Sequence, residues 1–169
     1  MTTDWLQLDD NPFQGAWPAL WIRAVDGNAG PGSAGPEVVG FRLRVEWAEA
    51  AEGVVQVSAD ERYELWVDGE VVGRGPSRGE VDHWSFESYH LRLPAGEHWL
   101  AARVWSLGDD APLAQQSLGD GPTFLLASSD LDVNTGTADW HATTLPGHAL
   151  RPQGDGYGCG ARHTTDGRT

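Results

Sequence analysis

Apolar and polar positions alternate most cleanly over residues 38–47 (VVGFRLRVEW), where Phe41, Leu43, Val45 and Trp47 share one face and Arg42, Arg44 and Glu46 the other. A period of two sustained over ten residues predicts a long strand with one wet face. The pattern recurs further on. Val55, Val57 and Ala59 alternate with polar or exposed partners, and Tyr63, Leu65 and Val67 alternate with Glu64, Trp66 and Asp68. Asp60, Glu61 and Arg62 form a polar break between these two strands. Asp68-Gly69 then predicts a type I′ turn, because Asp and Gly tolerate positive φ at both central positions, and residues 70–74 should fold back on residues 63–67.

Further strands are predicted over residues 19–24 (ALWIRA), 84–93, 97–107 (EHWLAARVWSL), 123–127 (TFLLA) and 139–145 (DWHATTL). The strand at 97–107 is apolar enough to be buried on much of both sides, and Pro94-Ala95-Gly96 turns the chain into it. Residues 26–36 and 108–122 read as loops. A connection as long as the second is where a ligand or a neighbouring domain is expected to touch. There is no convincing amphipathic helix and no internal repeat. Short strands separated by Gly/Pro turns predict an all-β fold, an antiparallel β-sandwich of jelly-roll type. The expected organisation is an irregular arm over residues 1–18 pinned by Trp5, Phe13 and Trp17, a sandwich domain over 19–145, and a Gly-rich tail or the start of a following domain over 146–169.

Charge narrows the partners. Eleven basic residues, all Arg, against 25 acidic ones give a net charge of −14, which repels phosphate backbones and anionic lipid headgroups. No nucleic-acid or membrane partner is expected. Cys159 is the sole cysteine, so neither an intrachain disulfide nor a cysteine-based zinc site can form. The N-terminal MTTDWLQLDDNPF lacks a basic region followed by an apolar run, and no segment has the length of a membrane span, so a cytoplasmic location is expected.

Nine tryptophans favour sugar binding, since indole faces stack on pyranose rings while polar neighbours bind hydroxyls. Trp21, Trp47, Trp99 and Trp105 lie in strand patterns and are assigned to the core. Trp66 shares a strand face with Glu64 and Asp68, which leaves ligand contact and cross-strand packing both open. Trp84 follows Asp82 and His83 at a loop-to-strand junction, where it can line a groove. Arg74 and Arg78 flank Gly75-Pro76 and either face a partner or hold the turn. Asp109, Asp110 and Asp120 are candidates for a structural calcium, but their spacing matches no defined calcium loop, and no cofactor is expected. The six histidines show no helical i, i+4 pair. Neither a G-x-S-x-G elbow nor a distinguished carboxylate pair marks a catalytic site.

Three blocks in order, YELWVDGEVVGRGP (63–76), HWSFESYHL (83–91) and VWSLGDDAPLAQ (104–115), resemble the N-terminal β-sandwich domain of bacterial α-L-rhamnosidase-like glycoside hydrolases, over roughly residues 19–127. In that family the hairpin commonly carries Asn-Gly, and the chain usually continues through further β domains into a helical-barrel domain that holds the catalytic carboxylates. The resemblance implies a galactose-binding-domain-like sandwich. It also implies a non-catalytic module that recognises L-rhamnosides or buttresses a downstream catalytic domain. Trp66, Trp84, Arg78 and the loop around Asp109 and Gln115 are the expected ligand contacts, and Trp84→Ala is expected to weaken rhamnoside binding without changing stability. A purely structural packing domain, a stand-alone lectin-like protein and a small glycosidase are the alternatives.

Overall fold

Alternation becomes pairing in the structure, a computed structural model describing residues 13, 16–25, 35–79, 82–108, 117, 121–152 and 161–166. The strands are β1 (Glu37–Trp47), β2 (Ala51–Ala59), β3 (Arg62–Val67), β4 (Glu70–Gly75), β5 (Glu87–Leu93), β6 (Gly96–Ser106), β7 (Phe124–Ala127), β8 (His141–Thr144), β9 (His148–Pro152) and β10 (Ala161–Thr165). A five-stranded sheet runs β4-β3-β6-β1-β8, a three-stranded sheet runs β5-β2-β7, and β9 and β10 form a separate hairpin. All of these pairings are antiparallel.

The two sheets face each other across one core, to which the larger contributes Phe41, Leu43, Tyr63, Leu65, Leu100 and Val104 and the smaller Val55, Val57, Leu91, Phe124 and Leu126. The architecture is therefore the expected antiparallel β-sandwich. Phe124 stands at its centre, 5.3 Å from Phe41 and 5.4 Å from Trp140 between ring centroids. Burial raises the pKa of Tyr63 well above the ordinary phenol value and pushes Tyr89 up to about 12, so both hydroxyls stay protonated and share a 2.9 Å hydrogen bond.

The Asp-Gly hairpin forms with φ of +52° at Asp68 and +80° at Gly69, joining Val67 to Glu70. Asp68 also reaches outside its turn. One carboxylate oxygen accepts the Trp99 backbone N–H at 2.8 Å and the other lies 2.6 Å from His98 Nδ1, tying the hairpin to β6.

Several expectations change. Residues 19–24 form no strand; Ile22 alone bridges Phe124. β5 begins at Glu87, after an irregular stretch through Trp84. β6 is not buried on both sides: His98, Leu100, Ala102, Val104 and Ser106 point inward, while Trp99 is 41% exposed. Trp21 is equally exposed, and Trp47 and Trp105 are half-buried, so none of the four tryptophans assigned to the core is fully buried. β2, by contrast, buries its polar positions Gln56 and Ser58, because Ala19, Phe13 and Trp17 gather with Leu125 and Ala127 in a second apolar cluster and Trp17 packs edge-on against Phe86. The polar break is interior as well. Asp60 is 0% and Glu61 1% exposed, the latter at φ +67°, where its carboxylate accepts the Leu107 N–H and the Ser106 hydroxyl. Beyond Pro146, where the sequence shows no period, β9 and β10 pair over five residues each.

Candidate functional site

Strand parity sends every second side chain of the five-stranded sheet outward, and the register aligns these residues in rows. One row runs Glu64, Arg103, Gly40, Thr143 across β3, β6, β1 and β8; the next runs Trp66, Ala101, Arg42, His141. Gly40 and Ala101 lie on the two middle strands, so the centre of the face is hollow. The result is a cleft of about 710 Å³ with Trp66 and Arg103 on one side and His141 and Thr143 on the other. Its volume is that of a small-molecule site.

The β9–β10 hairpin closes one end. Leu150 and Leu145 pack with Val38, Leu107 and Trp105, and Leu145 rests over Gly40, where a Cβ would stand 3.3 Å from its methyl carbons. His148 from β9 lines the cleft and meets His163 of β10 with stacked rings 4.8 Å apart and 2.6 Å between Nδ1 and Nε2. Partial burial, reinforced by the charge of Arg103, lowers the pKa of both imidazoles, so at neutral pH they act as uncharged donors and acceptors.

Arg103 is held firmly. It donates to Glu64 at 2.6 Å and lies 5.4 Å from the Trp66 ring centroid and 6.0 Å from that of Trp105. Glu64, with a side chain only 6% exposed, also accepts from Arg74 at 2.7 Å. Arg74 therefore has a structural partner. Arg42 stacks 5.9 Å from Trp99.

Those expected contacts that lie among the described residues do not converge. Trp66 lines the cleft. Trp84 lies in the irregular stretch before β5, beside the other sheet, where its indole Nε1 donates to Ser58 Oγ at 2.8 Å and its ring meets Trp21 edge-on at 5.5 Å. Arg78 is exposed in the segment after β4 and does not line the cleft. Asp109 and Gln115, like the calcium candidates Asp110 and Asp120, lie outside the described residues. Sequence reasoning missed Arg42, Arg103, His141 and His148. A signal existed in the small residues at outward positions 40 and 101, but their juxtaposition depends on the β1–β6 pairing, which no local pattern encodes. Among the described residues no Asp or Glu lines the cleft, so no carboxylate pair of the kind that hydrolyses glycosides stands in it. Among them no group of three His, Cys, Asp or Glu side chains is gathered for a metal, and none forms a helix long and apolar enough to cross a membrane.

Fold and cleft together define a β-sandwich with one covered face and one open, aromatic and arginine-lined face. The structure superposes on a GH78 family rhamnosidase of Bacillus sp. GL1 with a TM-score of 0.67 and 24% identity, over 90% of this chain. The chain spans 16% of that enzyme's length. A lectin from Pleurotus ostreatus in complex with GalNAc gives a TM-score of 0.42 at 22% identity over 76% of this chain and 33% of the lectin, and the apo form gives 0.45 at 21% over 78% and 33%. The rhamnosidase superposition establishes a shared fold, and the lectin superpositions are too loose to carry an argument. No protein-family model and no curated protein matches the chain.

Proposed function

We propose that this chain is a carbohydrate-recognition or accessory module of a rhamnosidase-like glycoside hydrolase, holding a saccharide on the outer face of its larger sheet for a catalytic domain elsewhere in a longer protein. The cleft carries this reading. Trp66 supplies an apolar wall for a sugar ring, and Arg42, Arg103, His141 and Thr143 supply the donors that fix hydroxyls. The three sequence blocks and the shared fold support the choice of rhamnosidase. Fold alone does not assign function, so the site bears the weight.

Tryptophan fluorescence tests the proposal. Titration with L-rhamnose and a rhamnose-containing oligosaccharide, with D-glucose as control, is expected to give a saturable, rhamnose-selective change that Trp66→Ala abolishes. A flat response up to tens of millimolar, weaker than about −3 kcal/mol, would overturn the rhamnoside assignment. A second reading has its own support: Leu20, Trp21 and Val25 are 64%, 41% and 96% exposed, an apolar strip suited to packing against another domain. Under that reading the isolated chain self-associates at high concentration.

A further inference from the structure

The cleft differs in charge from the molecule that carries it. The chain has a net charge of −14, yet the charged side chains lining the cleft are Arg42 and Arg103, and no described Asp or Glu joins them. The two arginines are not equivalent. Arg103 is committed to Glu64, which it shares with Arg74, so one carboxylate serves two guanidinium groups. Among strand arginines, Arg44, Arg74, Arg92 and Arg103 each pair with a glutamate. Arg42 has no carboxylate partner among the described residues; it stacks on Trp99, a contact made by the guanidinium face rather than its N–H groups. At the end of its row, His141 Nε2 lies 3.5 Å from Asp139, whose side chain is 93% exposed.

An oriented guanidinium with its donors free is the protein group that best matches a planar carboxylate. Trp66 and Arg42 lie on the same row with β6 between them, two strand spacings or about 10 Å apart. We infer that the cleft selects an acidic saccharide, with a ring against Trp66 and a carboxylate or sulfate of the same or the adjoining ring held by Arg42. This rests on the recognition reading above and narrows its ligand to anionic glycans. Selection comes from contact rather than long-range attraction, because the chain's net negative field, screened beyond about 8 Å at physiological ionic strength, opposes rather than steers an approaching anion.

The test is an array of oligosaccharides in matched pairs, each neutral member beside its uronate or sulfated counterpart, probed with the full chain and then measured in solution by calorimetry. The acidic members are expected to bind at least tenfold more tightly. Arg42→Gln should erase that preference with an unchanged thermal midpoint, since the side chain is exposed. Equal binding of neutral and acidic members, or a preference that survives Arg42→Gln, overturns the inference while leaving saccharide recognition intact. Competition by sodium acetate at the same concentration as the acidic glycan overturns it in favour of a generic anion site. Binding of no glycan overturns both readings.

Discussion

Glu61 offers the sharpest test of how the sandwich is held together. It sits in the turn between β2 and β3 at φ +67°, a left-handed backbone that costs a non-glycine residue about 1 kcal/mol. Its carboxylate is 1% exposed and accepts from Ser106 Oγ at 2.7 Å and from the Leu107 N–H at 2.8 and 2.9 Å, closing the end of β6. Glu61→Ala keeps the backbone strain and strands two buried donors. Each costs roughly 1–3 kcal/mol, so allowing for water entering the space the loss should be about 3 kcal/mol, or roughly 6–12 °C in Tm for a chain of this size. Glu61→Gly removes the same acceptor but relieves the strain, and should recover about 1 kcal/mol relative to Ala. Urea unfolding followed by tryptophan emission, with thermal melts by circular dichroism, measures both. Burial raises the Glu61 pKa above its ordinary 4.5. The stability tied to its protonated form is thus present below about 4.5 and lost as pH rises through the raised value, so the gap between native chain and Ala variant narrows over that window. A loss under about 1 kcal/mol in Glu61→Ala, or a Gly variant no more stable than Ala, would refute the assignment of Glu61 as the pin of this corner.

Trp84→Ala is expected to lower stability by about 2 kcal/mol, since the half-buried indole fills space beside Trp21 and satisfies the buried Ser58; an unchanged melting temperature would return Trp84 to the binding surface. The Asp68–His98 pair should show in the pH profile. Its hydrogen bond raises the His98 pKa above 6.5, and although burial works to raise Asp68, the bonds from His98 and the Trp99 N–H bring it below 3.8. The His98 contribution is full below about 6.5 and fades as pH rises through the raised value, while that of Asp68 is full above about 4 and fades as pH falls through the lowered one. Asp68→Asn should therefore cost most between these limits, and less than about 1 kcal/mol because Asp68 is 44% exposed and screened. Denaturation across a pH series that finds a constant difference rejects the coupling.

Strand identity was legible wherever one face is wet. β1 and the β3–β4 hairpin follow directly from alternation and from Asp68-Gly69, because side-chain period and turn stereochemistry act locally. Errors fell where a third layer intervenes. Gln56 and Ser58 look solvent-facing until the aromatics near Trp17 cover that side of β2, and Asp60 and Glu61 look like an exposed turn until β6 arrives to use the carboxylate. Trp99 and Trp21 erred in the other direction, since their size suggested a core from which parity and an irregular N-terminal segment exclude them. The cleft was half visible. Trp66 and the wet face of β1 could be read, but which outward residues share a row depends on register between strands some sixty positions apart, such as Gly40 and Arg103.

Because inward and outward residues alternate on β1 and β6, each strand carries two interleaved texts with separate duties. Positions 39, 41 and 43 on β1 and 100, 102 and 104 on β6 answer only to the core. Positions 40, 42, 101 and 103 face the cleft, although Gly40 also makes room for Leu145 and Arg103 also pairs with Glu64. A lineage can therefore rewrite what this face binds, one outward position at a time, without renegotiating the packing that keeps the sandwich folded.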